Sequence, residues 1–123
     1  MIVGLGTDLV ELARLERSLA KPEFKKLVFT EEEIGYCDRQ AKSIASYAGR
    51  FAAKEAIFKA FGTGWSGEMK LTEVCVLNND EGKPYFKLSG EVQRVAESVE
   101  ATNIHLSISH SETVAVATVV IEK

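Results

Sequence analysis

The chain has 123 residues, 46% hydrophobic and 27% charged, a mixture that fits one compact domain (1–123) and excludes a disordered, collagenous or membrane-spanning polymer. A chain of this length can bury roughly two-thirds of its unfolded surface, so it needs no disulfide or structural metal, and a second full domain would not fit. Fifteen Lys and Arg against eighteen Asp and Glu leave a net charge of −3, which argues against broad nucleic-acid binding as the main activity.

Residues 2–5 form a short apolar run closed by Gly6, which reads as a buried strand feeding a turn. From Leu9 to about Ala20, Leu12, Leu15 and Leu19 share one helical face while Arg14, Arg17 and Lys21 line the other, until Pro22 stops the pattern. Thr30 followed by Glu33 is a capping box and predicts a short second helix, which Gly35 weakens. The segment 43–61 is the strongest helix, with an apolar stripe of Ala53, Ala56, Ile57, Ala60 and Phe61 and with Gly62 placed to end it. Three glycines within 62–67 predict a loop.

Residues 74–77 and 85–88 flank the polar turn cluster 78–84, the pattern of a hairpin. A weaker helical pattern covers 89 to about 100, with Val92, Val95, Ala96 and Val99 on one side. The period then changes to two: Ile104, Leu106 and Ile108 alternate with His105, Ser107 and Ser109, and a β-branched run over 114–121 completes a second hairpin. The predicted order is strand, three helices, hairpin, helix, hairpin, an α+β domain with an antiparallel sheet packed on a long central helix. Cys37 and Cys75 stand apart, outside any zinc or disulfide spacing, and fit a reducing compartment. No leader precedes Asp8 and no stretch approaches the roughly 18 apolar residues of a membrane helix, so the expected address is the cytoplasm, with neither membrane nor nucleic acid as partner.

Few residues stand out as candidates for chemistry. Asp8 falls just after the expected glycine turn, where it is either an N-cap paired with Glu11 or a functional carboxylate at a sheet edge. Glu55 and Lys59 lie one turn apart, off the apolar stripe, and form either an exposed ion pair or half of a phosphate site. A carboxylate with a lysine suits phosphate chemistry, because oxygen ligands hold magnesium and an ammonium offsets charge on a leaving group. Magnesium needs only one or two protein carboxylates, so Asp8 with Glu55 would suffice. His110, between Ser109 and Ser111, is either a plain turn histidine or a donor to a phosphate or ribose; no nucleophile-elbow sequence supports a Ser/His pair.

Taken together, the segments 6–11 (GTDLVE), 50–60 (RFAAKEAIFKA) and 107–111 (SISHS) resemble, in order and on a chain of this size, the motifs of bacterial holo-acyl-carrier-protein synthases, small 4′-phosphopantetheinyl transferases. The resemblance implies transfer of the phosphopantetheine arm of coenzyme A to a serine of apo acyl carrier protein, with release of adenosine 3′,5′-bisphosphate, in fatty-acid biosynthesis. It implies that Asp8 and Glu55 hold magnesium and that Lys59 contacts the phosphate. Arg50, Gly62, Gly64, Lys83, Pro84, Ser109 and His110 would contribute to the coenzyme A site, His110 and Ser109 near the 3′-phosphate and from a neighbouring subunit of a homotrimer. Arg14, Arg17 and Lys21 would then orient the acidic carrier protein. A non-catalytic module that binds the carrier, and a magnesium-dependent nucleotide hydrolase, are the competing readings.

Overall fold

The computed structural model describes residues 1–62 and 67–123. In chain order these form β1 (Ile2–Glu11), α1 (Leu12–Leu19), α2 (Pro22–Val28), α3 (Glu31–Asp38), α4 (Ser43–Phe61), a 3₁₀ turn (Leu71–Glu73), β2 (Val74–Asn78), β3 (Pro84–Leu88), α5 (Gly90–Ser98), β4 (Asn103–His110) and β5 (Val114–Glu122). All strand pairs are antiparallel, in a three-stranded sheet of order β1-β5-β4 and a separate β2–β3 hairpin. The expected α+β class holds, with the antiparallel strands divided between two sheets.

Helix α4 is the axis of the core. It begins and ends where the pattern predicts, and Gly62 closes it in the left-handed conformation (φ 80°) with its N–H on the Lys59 carbonyl. One side packs on β1 and β5, and the other on α1, α3 and β2. Its buried positions therefore exceed the expected stripe, adding Tyr47, Ala48, Ala52 and Phe58.

The structure corrects the reading of the first twenty residues. Gly6 makes no turn; β1 runs on through Asp8 to Glu11, and α1 starts only at Leu12. Asp8 is therefore a strand residue and not the N-cap of α1; that position falls to Glu11, whose side chain makes no capping hydrogen bond among the described residues. The glycines serve a long-range contact. A Cβ at Gly6 would overlap the Ala56 carbonyl and lie 2.7 Å from the Ala60 nitrogen, and one at Gly4 would overlap the Ala60 carbonyl. Pro22, expected only as a stop, is the first residue of α2, where its missing N–H costs nothing.

The capping box at Thr30 forms as expected: Glu33 N donates to Thr30 Oγ1 and Thr30 N to Glu33 Oε1. Glu33 also does more. With no solvent exposure it accepts the Lys54 ammonium at 2.7 Å on Oε1 and the Val76 N–H at 2.7 Å on Oε2. Lys54, equally buried, donates further to the carbonyls of Val28 and Leu71 at 2.8 and 3.0 Å. Burial pushes the lysine below its ordinary range while Glu33 opposes that shift. One pair thus ties α2, α3, α4, the 3₁₀ turn and β2 together.

Two outcomes are expected. Gly6→Ala should lose about 1–3 kcal/mol or more of unfolding free energy in urea, because the helix backbone, not a flexible side chain, opposes the added carbon. Lys54→Met should cost about 3–5 kcal/mol by stranding Glu33, and the double variant with Glu33→Gln should recover part of that loss.

Candidate active site

Side chains alternate along a strand, so Asp8, two residues beyond Gly6, faces α4 like the glycine does. On α4, Glu55 and Lys59 are one turn apart and off the buried core. The Lys59 ammonium reaches across to β1, donating to Asp8 Oδ1 at 2.9 Å and to the Thr7 carbonyl at 3.0 Å. The exposed Glu55–Lys59 pair allowed by helical spacing is replaced by this link between helix and strand.

Asp8 and Glu55 line one cleft of about 440 Å³ whose other walls include Arg14, Leu15, Phe24 and Phe51. Half-buried Glu55 has its carboxyl raised above the ordinary range, first by burial and then by the charge of Asp8, with Lys59 pulling it back. Two hard oxygen donors thus sit close enough to repel each other, with one ammonium bonded to Asp8. That donor set suits a magnesium ion, which would take its remaining ligands from water and phosphate; among the described residues no group of three or more His, Cys, Asp or Glu gathers to hold a metal alone. Arg14 stands at this cleft, while Arg17 and Lys21 are exposed on and just after α1; none of the three forms an ion pair among the described residues.

A second cleft, of about 560 Å³, collects Arg50, Pro84 and His110 from α4, β3 and β4, with Asn78 and Ile108 between them. Arg50 is only 5% exposed; its guanidinium stacks 4.1 Å from the centre of the Tyr36 ring and donates to Asn78 Oδ1. Its Nε is buried without a partner among the described residues. A fixed guanidinium beside a histidine in an open cleft is suited to an anion. Lys83 is exposed at the tip of the β2–β3 turn and does not line this cleft, and Ser109 alternates to the opposite face of β4 from His110. Gly62 caps α4, and Gly64 lies outside the described residues.

Sequence reading passed over Tyr36, Asn78, Phe24 and Phe51. Nothing local marks the first two, whose roles exist only through Arg50. Phe24 and Phe51, with ring centres 6.0 Å apart, wall the carboxylate cleft, and their signal would have been an aromatic on each of two helices with no obvious core partner.

The small α+β fold thus carries two charged clefts, one with paired carboxylates and a lysine bonded to one of them, the other with a buried arginine beside a histidine. The model of the 4′-phosphopantetheinyl transferase superfamily matches residues 4–119. The holo-[acyl-carrier-protein] synthase of Solibacter usitatus is 43% identical over 124 residues, spanning 99% of each chain. The crystal structure of the synthase from Neisseria meningitidis is 36% identical with a TM-score of 0.90 over 100% of both chains. That of Bacillus anthracis, solved in complex with CoA (3′,5′-ADP), is 41% identical with a TM-score of 0.82 over 99% of this chain and 97% of its own. The chain belongs to the 4′-phosphopantetheinyl transferase superfamily and, within it, to the holo-acyl-carrier-protein synthases.

The raised Glu55 carboxyl makes stability depend on pH with a definite sign. Below about pH 4 the group is protonated in the folded and unfolded chain alike and costs nothing. As pH rises through its raised folded value, the folded chain gives up a proton it holds more tightly than the unfolded chain does, and stability falls. Thermal unfolding in a chelator should therefore find Glu55→Gln a few degrees more stable than the unsubstituted chain at neutral pH, with the gain vanishing below about pH 4.

Proposed function

We infer that this chain moves the phosphopantetheine arm of coenzyme A onto a serine hydroxyl of an apo acyl carrier protein, in fatty-acid biosynthesis, and releases adenosine 3′,5′-bisphosphate. The observation that carries the reading is the meeting of Asp8 and Glu55 in one cleft, with Lys59 bonded to Asp8 and Arg14 beside them. Phosphoryl transfer asks a protein mainly to position reactants and stabilise charge, and these groups do both. Lys59 offsets negative charge on the phosphate, while the carboxylates of Asp8 and Glu55 are the acceptors this chain offers for the proton of the attacking hydroxyl. Magnesium, held by Asp8 and Glu55, would supply further neutralisation of the diphosphate. The nucleotide end of coenzyme A fits the second cleft, against Arg50, Pro84 and His110.

Exposed Arg14, Arg17 and Lys21 suit an acidic carrier docking on α1, which would bring its serine to the cleft that Arg14 lines. A homotrimer is supported by the outer face of the three-stranded sheet. There Leu5 and Leu9 are 68% and 59% exposed and lie in register with Val120 and Val116. Ser109 is opposite Val116 on that face, so it would meet a neighbouring subunit rather than its own cleft. The two free, buried cysteines support a reducing, cytoplasmic setting. Among the described residues no helix is long and apolar enough to cross a membrane.

The test is the intact mass of an apo carrier protein after incubation with this chain, coenzyme A and magnesium. A gain of the phosphopantetheine mass is expected. Glu55→Gln should lower that turnover on the order of a hundredfold or more while the chain stays folded. Tight carrier binding with no mass gain would instead favour a docking module, and breakdown of coenzyme A without a carrier a hydrolase.

A further inference from the structure

The carboxylate of Asp8 already holds a cation: the Lys59 ammonium, at 2.9 Å. The lysine side chain is 54% exposed and that of Asp8 18%, so the lysine is the more open member of the pair. Its second contact, the Thr7 carbonyl, is a neutral acceptor. Glu55 is placed differently, because its carboxylate has no hydrogen bond or ion pair among the described residues, although it feels the charges of both Asp8 and Lys59. Two carboxylates and one ammonium therefore lie within reach of one another's charge, and the ammonium is bonded to only one of the two. Lysine is a point charge on a flexible stem, and an exposed pair of this kind is held by no more than about 1 kcal/mol, so its partner can be exchanged.

We propose that Lys59 is the internal counter-ion of Asp8 in the metal-free chain and must release that carboxylate before Asp8 and Glu55 can take up a divalent cation, the freed ammonium then turning to the phosphate of the substrate. The inference rests on the assignment of Asp8 and Glu55 as cation ligands. It makes cation binding weak when no phosphate is present, because the cation competes with Lys59 for Asp8. A phosphate gives Lys59 another partner, so cation and phosphate favour each other's binding, and by linkage the effect is reciprocal. Lys59 thus has two partners in turn, and the metal-free cleft avoids leaving Asp8 and Glu55 to repel each other unscreened.

Calorimetric titration of magnesium into the full chain, alone and with saturating adenosine 3′,5′-bisphosphate, tests this. The same titrations are run on Lys59→Met, Lys59→Gln and Asp8→Asn, with circular dichroism to show that each is folded. The unsubstituted chain should bind magnesium weakly alone and about tenfold more tightly with the bisphosphate, a coupling of ordinary size. Both Lys59 variants should bind magnesium alone about tenfold more tightly than the unsubstituted chain and gain little from the bisphosphate. Asp8→Asn should bind little magnesium in either condition. Lys59 variants with unchanged or weaker magnesium affinity, while Asp8→Asn still abolishes binding, would overturn the counter-ion role and leave the cation site standing. Magnesium binding that is absent throughout, or indifferent to Asp8→Asn, would overturn the site and the inference together.

Discussion

The carbonyl oxygens of Ala56 and Ala60 lie against β1 so closely that no side-chain carbon fits at Gly6 or Gly4, and the arrangement of the cleft descends from that contact. Any larger residue would force α4 away from the strand. Glu55 and Lys59 ride on the helix and Asp8 on the strand, so the separation of these charges is set by backbone packing rather than by the side chains themselves. The small residues of α4 extend the same logic, since Ala52, Ala53, Ala56 and Ala60 are all buried and let neighbouring elements come close.

The opposite side of α4 is held by charge. Burying Lys54 and Glu33 carries a desolvation cost that is offset only when both groups are fully engaged, and here they are: three acceptors surround the ammonium and three donors the carboxylate. Helices α2 and α3, of seven and eight residues, are too short to persist alone. The pair anchors the end of the first and the start of the second. Because α2 also carries Phe24 against Phe51, this buried network supports the wall of the carboxylate cleft from the far side of the helix.

Charge is distributed unevenly in a way the net value of −3 conceals. Acids meet in the cleft between β1 and α4, bases stand exposed along α1, and a buried arginine stacked on tyrosine marks the cleft between α4 and β4. Each region comes from different elements, so no single segment of chain carries the function.

The limits of α4, the Thr30–Glu33 box and both hairpins were legible in the amino-acid sequence because their causes are local: helical period, cap chemistry, alternation and turn residues act within a few positions. Asp8, Glu55 and Lys59 were legible as a set only through the order of three motifs, since each alone is equally an ordinary cap or surface pair. Gly6 was misread as a turn because its reason for being glycine lies fifty residues away in Ala56, and β1 was cut short with it. The same distance hid the exchange of Lys59 from Glu55 to Asp8, the burial of Lys54 on Glu33, and the stacking of Arg50 on Tyr36. Local sequence thus determined which elements form, and the identity of the acids and bases they carry. Which of those groups face each other was decided by how α4 packs between strand and helices, because charge pairing depends on distance in space and a linear pattern records only distance along the chain.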